Sequence, residues 1–342
     1  MKKFNYGKIF LLGFGFFGIS VIWTIYNAFV PLFLANKFGL GAALIGFFMT
    51  LDNIAALFIQ PPVGSWSDRL RTPIGRRMPF ILIGAPIGAL AFGLIPMAAV
   101  LPLFVACTST LLLSMAFWRT PVVALMPDIT PSRFRSQANG IINLMGGLGT
   151  IIASLVGSTL YEINVNFPFW MGSGLVIVAA VLVFIFIKEP KSYEEIEKQP
   201  NMFESLKELI HANDKSGLHI LFAIFFWFLT YQGVESFLTL YATKHLMIPE
   251  GDAGRMSGHM GIFFVLFAIL AGIIGSRIGR RKTISIGIIG MAILVFLIAF
   301  LPVNFLTIEL TKLPALGMIR VVNLFLMAAG ITWSFININS LP

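Results

Sequence analysis

The sequence predicts an all-α protein that crosses a membrane many times and is built from two similar halves. Its 342 residues are 57% hydrophobic and 11% charged, with a mean hydropathy of +0.89. So much apolar surface cannot be buried inside a water-soluble globule of this length. Long apolar runs and one repeated motif are the other two observations. Together they indicate a polytopic bundle of membrane helices.

Long apolar runs with at most one charged residue define the predicted membrane spans. A helix rises about 1.5 Å per residue, so about 20 apolar residues cross a hydrocarbon core about 30 Å thick. Ten runs reach this length, and they lie at 9–35, 41–66, 79–99, 102–126, 137–161, 167–187, 217–243, 256–276, 283–302 and 314–338. Between the sixth and seventh runs, residues 202–211 have an amphipathic stripe, which predicts a short helix on the membrane surface.

A short motif occurs twice, 208 residues apart. The pattern Gly-x-x-x-Asp-Arg at 64–69 returns as Gly-x-x-x-Ser-Arg at 272–277, and each copy is followed within a few residues by Gly-Arg-Arg. Each copy lies between two long apolar runs. A repeat of this length indicates an internal duplication, the arrangement from which many secondary transporters are built.

The two predicted halves differ in length. We expect an N-terminal six-helix bundle at 1–187, a cytoplasmic linker at 188–215 and a C-terminal bundle of four helices at 216–342. Trp118 precedes Pro127 by nine residues, and Trp333 precedes Pro342 by the same interval. This match leaves the second bundle without a counterpart of residues 128–187. We therefore expect that the second bundle is truncated by two helices.

The charged residues predict the orientation in the membrane. The net charge is +9, and most Lys and Arg residues fall in loops on one side. The loops on the other side contain Lys37, Lys244, Arg255 and Lys312. By the positive-inside rule the N-terminus is cytoplasmic, in a multi-pass protein of the cell membrane. Topology therefore explains the positive charge, and we expect no nucleic-acid partner.

Two stretches of the sequence resemble a known family. Residues 60–69, Gln-Pro-Pro-Val-Gly-Ser-Trp-Ser-Asp-Arg, and residues 75–81, Gly-Arg-Arg-Met-Pro-Phe-Ile, resemble the second-to-third-helix segment of the sucrose/proton symporters. Ala-Leu-Met-Pro-Asp at 124–128, with Arg135, resembles the fourth-to-fifth-helix junction of the same group. These carriers lie beside the glycoside-pentoside-hexuronide cation symporters in the major facilitator superfamily.

The resemblance implies two six-helix bundles and the uptake of a sugar or glycoside with a proton or sodium ion by alternating access. It also implies a cytoplasmic gate of ion pairs between helix ends, formed by Asp68, Arg69, Arg76, Arg77, Asp128 and Arg135. The alternative is that these arginines only set topology. In the second copy Ser276 replaces the acid, which favours the topological role there.

The sequence also departs from the plant-type sucrose carriers. Val123 stands where those carriers have an arginine, and Arg119 lies one helical turn earlier. Leu112 and Ser114 occupy the region where the carriers place an aspartate. Proton coupling by that aspartate is therefore not implied for this chain.

Asp52, Arg119 and Glu235 are charged residues that lie inside apolar spans. A charge near the centre of a membrane helix costs about 2.5–3.5 kcal/mol, so each residue must face a cavity or a partner. Asp52 and Glu235 are candidates for cation coupling, because a desolvated carboxylate binds a proton readily at neutral pH. The alternatives are a buried ion pair, such as Asp52 with Arg119, that locks helices together and, for Glu235, a hydrated position near the outer mouth.

Aromatic and polar residues in the spans are candidates for substrate binding. They are Trp23, Asn27, Gln60, Trp118, Arg119, Tyr231 and Gln232. Most of them share a helix face with another candidate three, four or eight residues away. Aromatic faces and amide groups suit the rings and hydroxyls of a sugar. The alternative for each tryptophan is packing or anchoring at the membrane interface.

We therefore predict a secondary active transporter and not an enzyme. Its partners would be a sugar or glycoside, a proton or sodium ion and the lipid bilayer, and we expect a monomer without a cofactor. The alternatives are a uniporter or exporter of another small solute, and a membrane sensor that does not transport. The sequence contains no Walker loop, paired cysteine or His-rich zinc spacing, so we expect no metal site.

Overall fold

The computed structural model describes residues 6–131, 134–189, 202–211 and 214–340, without the side chains of residues 52, 55, 136 and 202–206. Within this part of the chain, ten helices are long and apolar enough to cross a membrane, as the sequence predicts. They are α1 Tyr6–Asn36, α2 Ala42–Arg69, α3 Met78–Leu94, α4 Leu101–Ile129, α5 Arg135–Ile163, α6 Phe167–Phe186, α8 Ser216–Lys244, α9 Glu250–Ile278, α10 Arg280–Phe300 and α12 Val321–Ser340. The all-α polytopic class is confirmed.

The predicted surface helix is also present. It is α7, Met202–His211, which has the bounds that the amphipathic stripe predicts. Residues 190–201 and 212–213 of the predicted linker lie outside the described residues.

The predicted start of the eighth span is wrong because a polar turn extends the helix toward its N-terminus. α9 begins at Glu250 rather than at 256, directly after Pro249. Glu250 and Asp252 lie in its first turn, where carboxylates interact favourably with the positive end of the helix dipole. Arg255, which we expected in an outer loop, is therefore a helix residue with 6% of its surface exposed.

The last predicted span is wrong at its start. Residues 303–306 form the one-turn helix α11, and an antiparallel hairpin of β1 Glu309–Leu313 and β2 Gly317–Arg320 precedes α12. Gly317, at the end of the turn, has φ +73°, a conformation that glycine adopts without strain. The predicted span at 314–338 combines β2 with the start of α12, because Arg320 is the one charged residue in that stretch.

Successive membrane helices run in opposite directions, so their ends form two faces. We call the face at which α6 ends and α8 begins the linker face, and the opposite face, which carries the hairpin, the distal face. Helices α1–α6 are the N-terminal helix set, and helices α8–α12 are the C-terminal helix set. Contacts of α1 with α8 and of α5 with α9 connect the two sets.

Close packing of α5 against α9 closes the distal part of the boundary between the sets. A Cβ atom at Gly254 would lie 2.4 Å from Ser158 Oγ, and one at Gly258 would lie 2.7 Å from Ser154 Oγ. Ser154 Oγ donates a hydrogen bond to the Gly254 carbonyl at 2.7 Å. Small residues let the two backbones approach at this depth in the membrane.

Helix α1 has one open stripe. Between residues 15 and 34 every residue is buried except Phe16, Ser20, Trp23 and Asn27, which are half-buried. Their spacing of four, three and four residues places them on one face. This stripe contains two of the predicted substrate-binding residues.

Candidate solute site and charged networks

Glu235 connects the two helix sets in the distal half of α8. Its side chain is half-buried and lies close to the side chains of Asn27 on α1 and Tyr231 one turn earlier on α8. The Asn27 amide and the Tyr231 hydroxyl can both donate to a carboxylate. A carboxyl group that the sequence predicts as a coupling candidate thus lies at the boundary between the sets.

An aromatic stack supports this carboxyl group. The rings of Tyr231 and Trp333 are stacked, with centroids 4.0 Å apart and planes inclined by 10°. Phe228 lies edge-on to the same indole, 5.7 Å away. Trp333 therefore fixes the phenol that contacts Glu235. The sequence shows Trp333 only as the counterpart of Trp118 in the repeat, and its position beside Tyr231 becomes apparent only in the folded chain.

The other predicted substrate residues lie at different distances from this centre. Trp23 is half-buried on the open stripe of α1 and contacts Tyr26 edge-on at 5.8 Å. Gln232 is half-buried on α8, next to Tyr231 in the chain. Gln60 is half-buried on α2, toward the linker face. Trp23 and Gln232 therefore lie on the two helices that Glu235 and Asn27 join, whereas Gln60 lies on another.

Asp52 lies on α2, and its side chain is outside the described residues. Arg119 is half-buried on α4. The proposed pairing of these two groups remains a prediction.

Trp118 is a packing residue in this conformation. Only 1% of its surface is exposed, and its Cβ would lie 2.9 Å from a Cβ atom at Gly84. Its indole also lies near Gly88, so it fills the interface between α3 and α4. We therefore do not place Trp118 in the solute site.

The predicted gate residues form a buried network on the linker face. Arg76 NH2 contacts Asp128 Oδ1 at 2.7 Å, and Arg77 Nε contacts Asp128 Oδ2 at 3.0 Å. Arg77 NH2 also contacts Asp68 Oδ1 at 2.5 Å. Both arginine side chains are 5% exposed or less. The ends of α2 and α4 are thus tied to the start of α3.

A fifth charged group, which the sequence reasoning missed, completes the linker-face network. The Glu189 carboxylate accepts hydrogen bonds from the backbone N–H groups of Arg76, Arg77 and Met78, each at 2.9 Å. Gly75 has φ +117°, and a Cβ atom there would lie 2.4 Å from Glu189 Oε1. Glycine therefore both permits the turn and leaves room for the carboxylate at the positive end of α3.

Two of the six predicted gate residues stand apart. Among the residues that the structure describes, Arg69 and Arg135 are exposed and enter no ion pair. The arginines of the second motif copy, at 277, 280 and 281, are exposed as well. Every described partner in the linker-face network belongs to the N-terminal helix set or to Glu189 just after it, so a latching role between the sets remains a prediction.

The chain is similar to several membrane transporters. It is 26% identical to "Multidrug resistance protein 2" of Bacillus subtilis over 301 residues, which cover 86% of this chain and 72% of that protein. It is also 26% identical over 175 residues to "Sucrose transport protein SUT1" of Oryza sativa subsp. japonica, covering 45% of this chain and 32% of that one. The sucrose-carrier resemblance is therefore one of several and does not fix the branch.

Solved structures share the fold. The nucleoside transporter NupG superposes with a TM-score of 0.68 at 16% identity, over 98% of this chain and 80% of that one. A D-xylose-proton symporter gives 0.64 at 13% identity, over 96% and 79%. The sequence profile of the Major Facilitator Superfamily matches residues 12–342. This chain is therefore a member of the Major Facilitator Superfamily, a family of transporters rather than enzymes.

Proposed function

We propose that this protein moves a small solute by alternating access and that Glu235 binds the coupling proton. The observation that carries the proposal is the contact of the Glu235 carboxyl group with Asn27 across the boundary between the helix sets. A carboxyl group in an apolar helix is costly unless it has a function or a partner. Here its partners lie on both sets.

Protonation of Glu235 would change these contacts. As a carboxylate, Glu235 only accepts hydrogen bonds, which suits donation by Asn27 and Tyr231. Protonation removes the charge and turns one oxygen into a donor, so donation by Asn27 and Tyr231 loses its charge assistance. Binding of a proton would therefore alter the attachment of α8 to α1, which is the coupling that a symporter requires.

The packing of α5 on α9 supports a state that is closed at the distal face. Their contacts run from Arg255 and Glu162 at the distal ends to Val265, which lies against Gly147. The open stripe of α1 continues on the linker side of Asn27, through Trp23 to Phe16. We propose that the linker face is cytoplasmic, because most basic loop residues lie there, and that the solute site is reached from that side.

A sugar or glycoside is the solute that we propose. Trp23 and Tyr231 offer aromatic surface, while Asn27, Gln232 and Glu235 offer hydrogen-bonding groups on the same two helices. The similarity to a rice sucrose transport protein agrees with this choice. A proton or sodium ion would accompany the sugar.

Export of an amphipathic compound is the second candidate. It is favoured by the similarity to a Bacillus subtilis multidrug resistance protein, which extends over 86% of this chain. A carboxylate beside stacked aromatic rings would also suit an organic cation.

Transport assays in proteoliposomes distinguish between the two proposals. Labelled sucrose should accumulate when a proton gradient is directed inward, and a sodium gradient tests the other cation. If sucrose shows neither accumulation nor counterflow while ethidium moves against the proton gradient, export replaces uptake as the function. If no solute in a panel of sugars, nucleosides and organic cations exchanges, the transport proposal fails.

A further inference from the structure

His259 is a buried histidine that the proposed transport cycle does not use. It lies on α9 two turns from the distal end and is 1% exposed. Its Nε2 atom is 3.0 Å from the Leu316 carbonyl oxygen in the hairpin turn. Its Nδ1 atom is 2.9 Å from Asn323 Nδ2 on α12. Both ring nitrogens are therefore engaged by the hairpin and the helix that follows it.

These contacts fix the ring in its neutral form. The Leu316 carbonyl can only accept a hydrogen bond, so Nε2 carries a proton. The Arg320 backbone N–H donates to Asn323 Oδ1 at 2.8 Å, so the Asn323 NH₂ group faces the imidazole. Nδ1 must then accept from that NH₂ group and cannot carry a proton. A second proton on the ring would place the Nδ1–H donor against the NH₂ donor of Asn323. Rotating the Asn323 amide would remove that clash but would place its NH₂ group against the Arg320 N–H.

Arg320, the last residue of the hairpin, is also connected to the N-terminal helix set. Arg320 NH1 contacts Asp252 Oδ2, and Arg255 NH1 contacts Asp252 Oδ1, both at 3.0 Å. Arg255 in turn donates to both carboxylate oxygens of Glu162 on α5, at 2.6 and 2.8 Å. Such a two-point guanidinium contact is among the stronger ion pairs in proteins. A chain of contacts thus runs from His259 to the distal end of α5.

We propose that His259 is a proton-binding site whose protonation releases the distal closure of α9 on α5. The closed structure accommodates a neutral ring, so an added proton favours a state in which Asn323 and the hairpin have moved. Displacement of Arg320 would leave Asp252 with Arg255 alone and weaken the hold of Arg255 on Glu162. Acid on the distal side would therefore favour opening of that face.

The charged groups around His259 are of both signs and offset one another. Asp252 and Arg255 lie one to two turns away on α9, Arg320 and Glu309 lie on the hairpin, and Glu162 lies on α5. The three carboxylates are already paired with the two arginines. Among the described residues around the ring, no carboxylate lies within hydrogen-bonding distance of Nδ1, where an imidazolium would need one.

A cysteine reporter tests the proposal. Cys107 is the single cysteine, so a Cys107→Ala background permits Ser158→Cys, at a buried α5 position that faces Gly254. The rate of maleimide labelling would be normalised to that of Val100→Cys, an exposed distal residue, which removes the intrinsic pH dependence of the thiol. Because one proton is taken up on opening, the normalised rate should rise as pH falls, by up to about tenfold per pH unit.

Three variants distinguish His259 from other groups. His259→Gln can keep a donor and an acceptor without titrating, so its normalised rate should not change with pH. His245→Gln removes an exposed histidine on the same face and should retain the full rise. Asn323→Asp supplies a carboxylate that accepts from both Nδ1–H and the Arg320 N–H, so it should also abolish the rise.

Each possible outcome of the labelling experiment either supports or contradicts the proposal. A flat profile in the unsubstituted background, or an undiminished rise in His259→Gln, overturns the proposal. If His259→Gln does not fold, Asn323→Asp decides, and an undiminished rise in that variant overturns the proposal. Loss of the rise in His245→Gln would assign the proton site to His245 instead. The labelling measurement does not depend on transport, so it is independent of the proposed substrate.

Discussion

Asn27 on α1 and Glu235 on α8 meet through their side chains, although 208 residues separate them in the sequence. The contact joins the two helix sets beside the Tyr231–Trp333 stack. Among the contacts that the structure describes for Glu235, none is with another charged residue. The protonation state of one carboxyl group can therefore influence how the two sets are held together.

The aromatic stack gives the first prediction. Trp333→Ala should weaken solute binding by about 3- to 10-fold, because an aromatic pair contributes about 0.5–1.5 kcal/mol beyond its buried area and here also orients Tyr231. Binding would be measured as the half-saturating concentration in counterflow. Trp170→Phe, at an exposed site on α6, is the control and should leave this concentration unchanged. Unchanged affinity in Trp333→Ala would remove the stack from the solute site.

The linker-face network gives the second prediction. Asp128→Asn should destabilise the purified protein by about 3–5 kcal/mol, because it leaves Arg76 and Arg77 buried with less compensating charge. The measurement is the thermal unfolding midpoint in detergent. Arg135→Gln and Arg69→Gln alter exposed charges and should shift the midpoint very little. Equal effects of all three substitutions would show that the buried pairs add no stability.

The turn before α3 gives the third prediction. Gly75→Ala combines a positive φ with a close approach of Glu189, whereas Gly279→Ala has a positive φ but open space around the added methyl group. Backbone strain alone costs about 1–2 kcal/mol. Gly75→Ala should therefore lower the unfolding midpoint more than Gly279→Ala does. Gly174→Ala, in open space on α6 and without a positive φ, should not lower it, and equal shifts at 75 and 279 would argue against the Glu189 cap.

The α5–α9 packing gives the fourth prediction. A side chain at residue 258 would meet Ser154, so Gly258→Val should force the distal ends of the two helices apart. A cysteine at Ser158 should then label faster with maleimide at neutral pH. Gly233→Val, where the added atoms meet open space, should leave labelling at the level of the parent protein. Slow labelling in Gly258→Val would mean that the helices accommodate the added methyl groups without separating.

The membrane helices could be predicted because their signal is local. Ten apolar runs and the amphipathic segment at 202–211 each carry their own evidence in consecutive residues. The hairpin at 309–320 could not be separated from the span that follows, because a short strand and a helix start are both apolar there. Local patterns also placed Arg255 in a loop, since a charge near the end of a span resembles a boundary.

The site residues were predictable only in part. Glu235 could be proposed because a charged group in an apolar helix is costly, and Asn27 because it shares a helix face with Trp23. The partners that define each site come from distant parts of the chain, as with Glu189 at the start of α3 and Asn323 beside His259. A single sequence contains no signal for such pairings. Trp118 shows the same limit, since it is buried between α3 and α4 whereas Arg119, its neighbour in sequence, is half-buried.

The most direct test of the transport account is proton-driven accumulation by Glu235→Gln in proteoliposomes. Glutamine keeps the size of the side chain and can still contact Asn27, but it cannot bind a proton at neutral pH. We expect that the variant retains counterflow of the transported solute while an imposed proton gradient no longer drives accumulation. An accumulation ratio equal to that of the unsubstituted protein would contradict the assignment of Glu235 as the coupling residue.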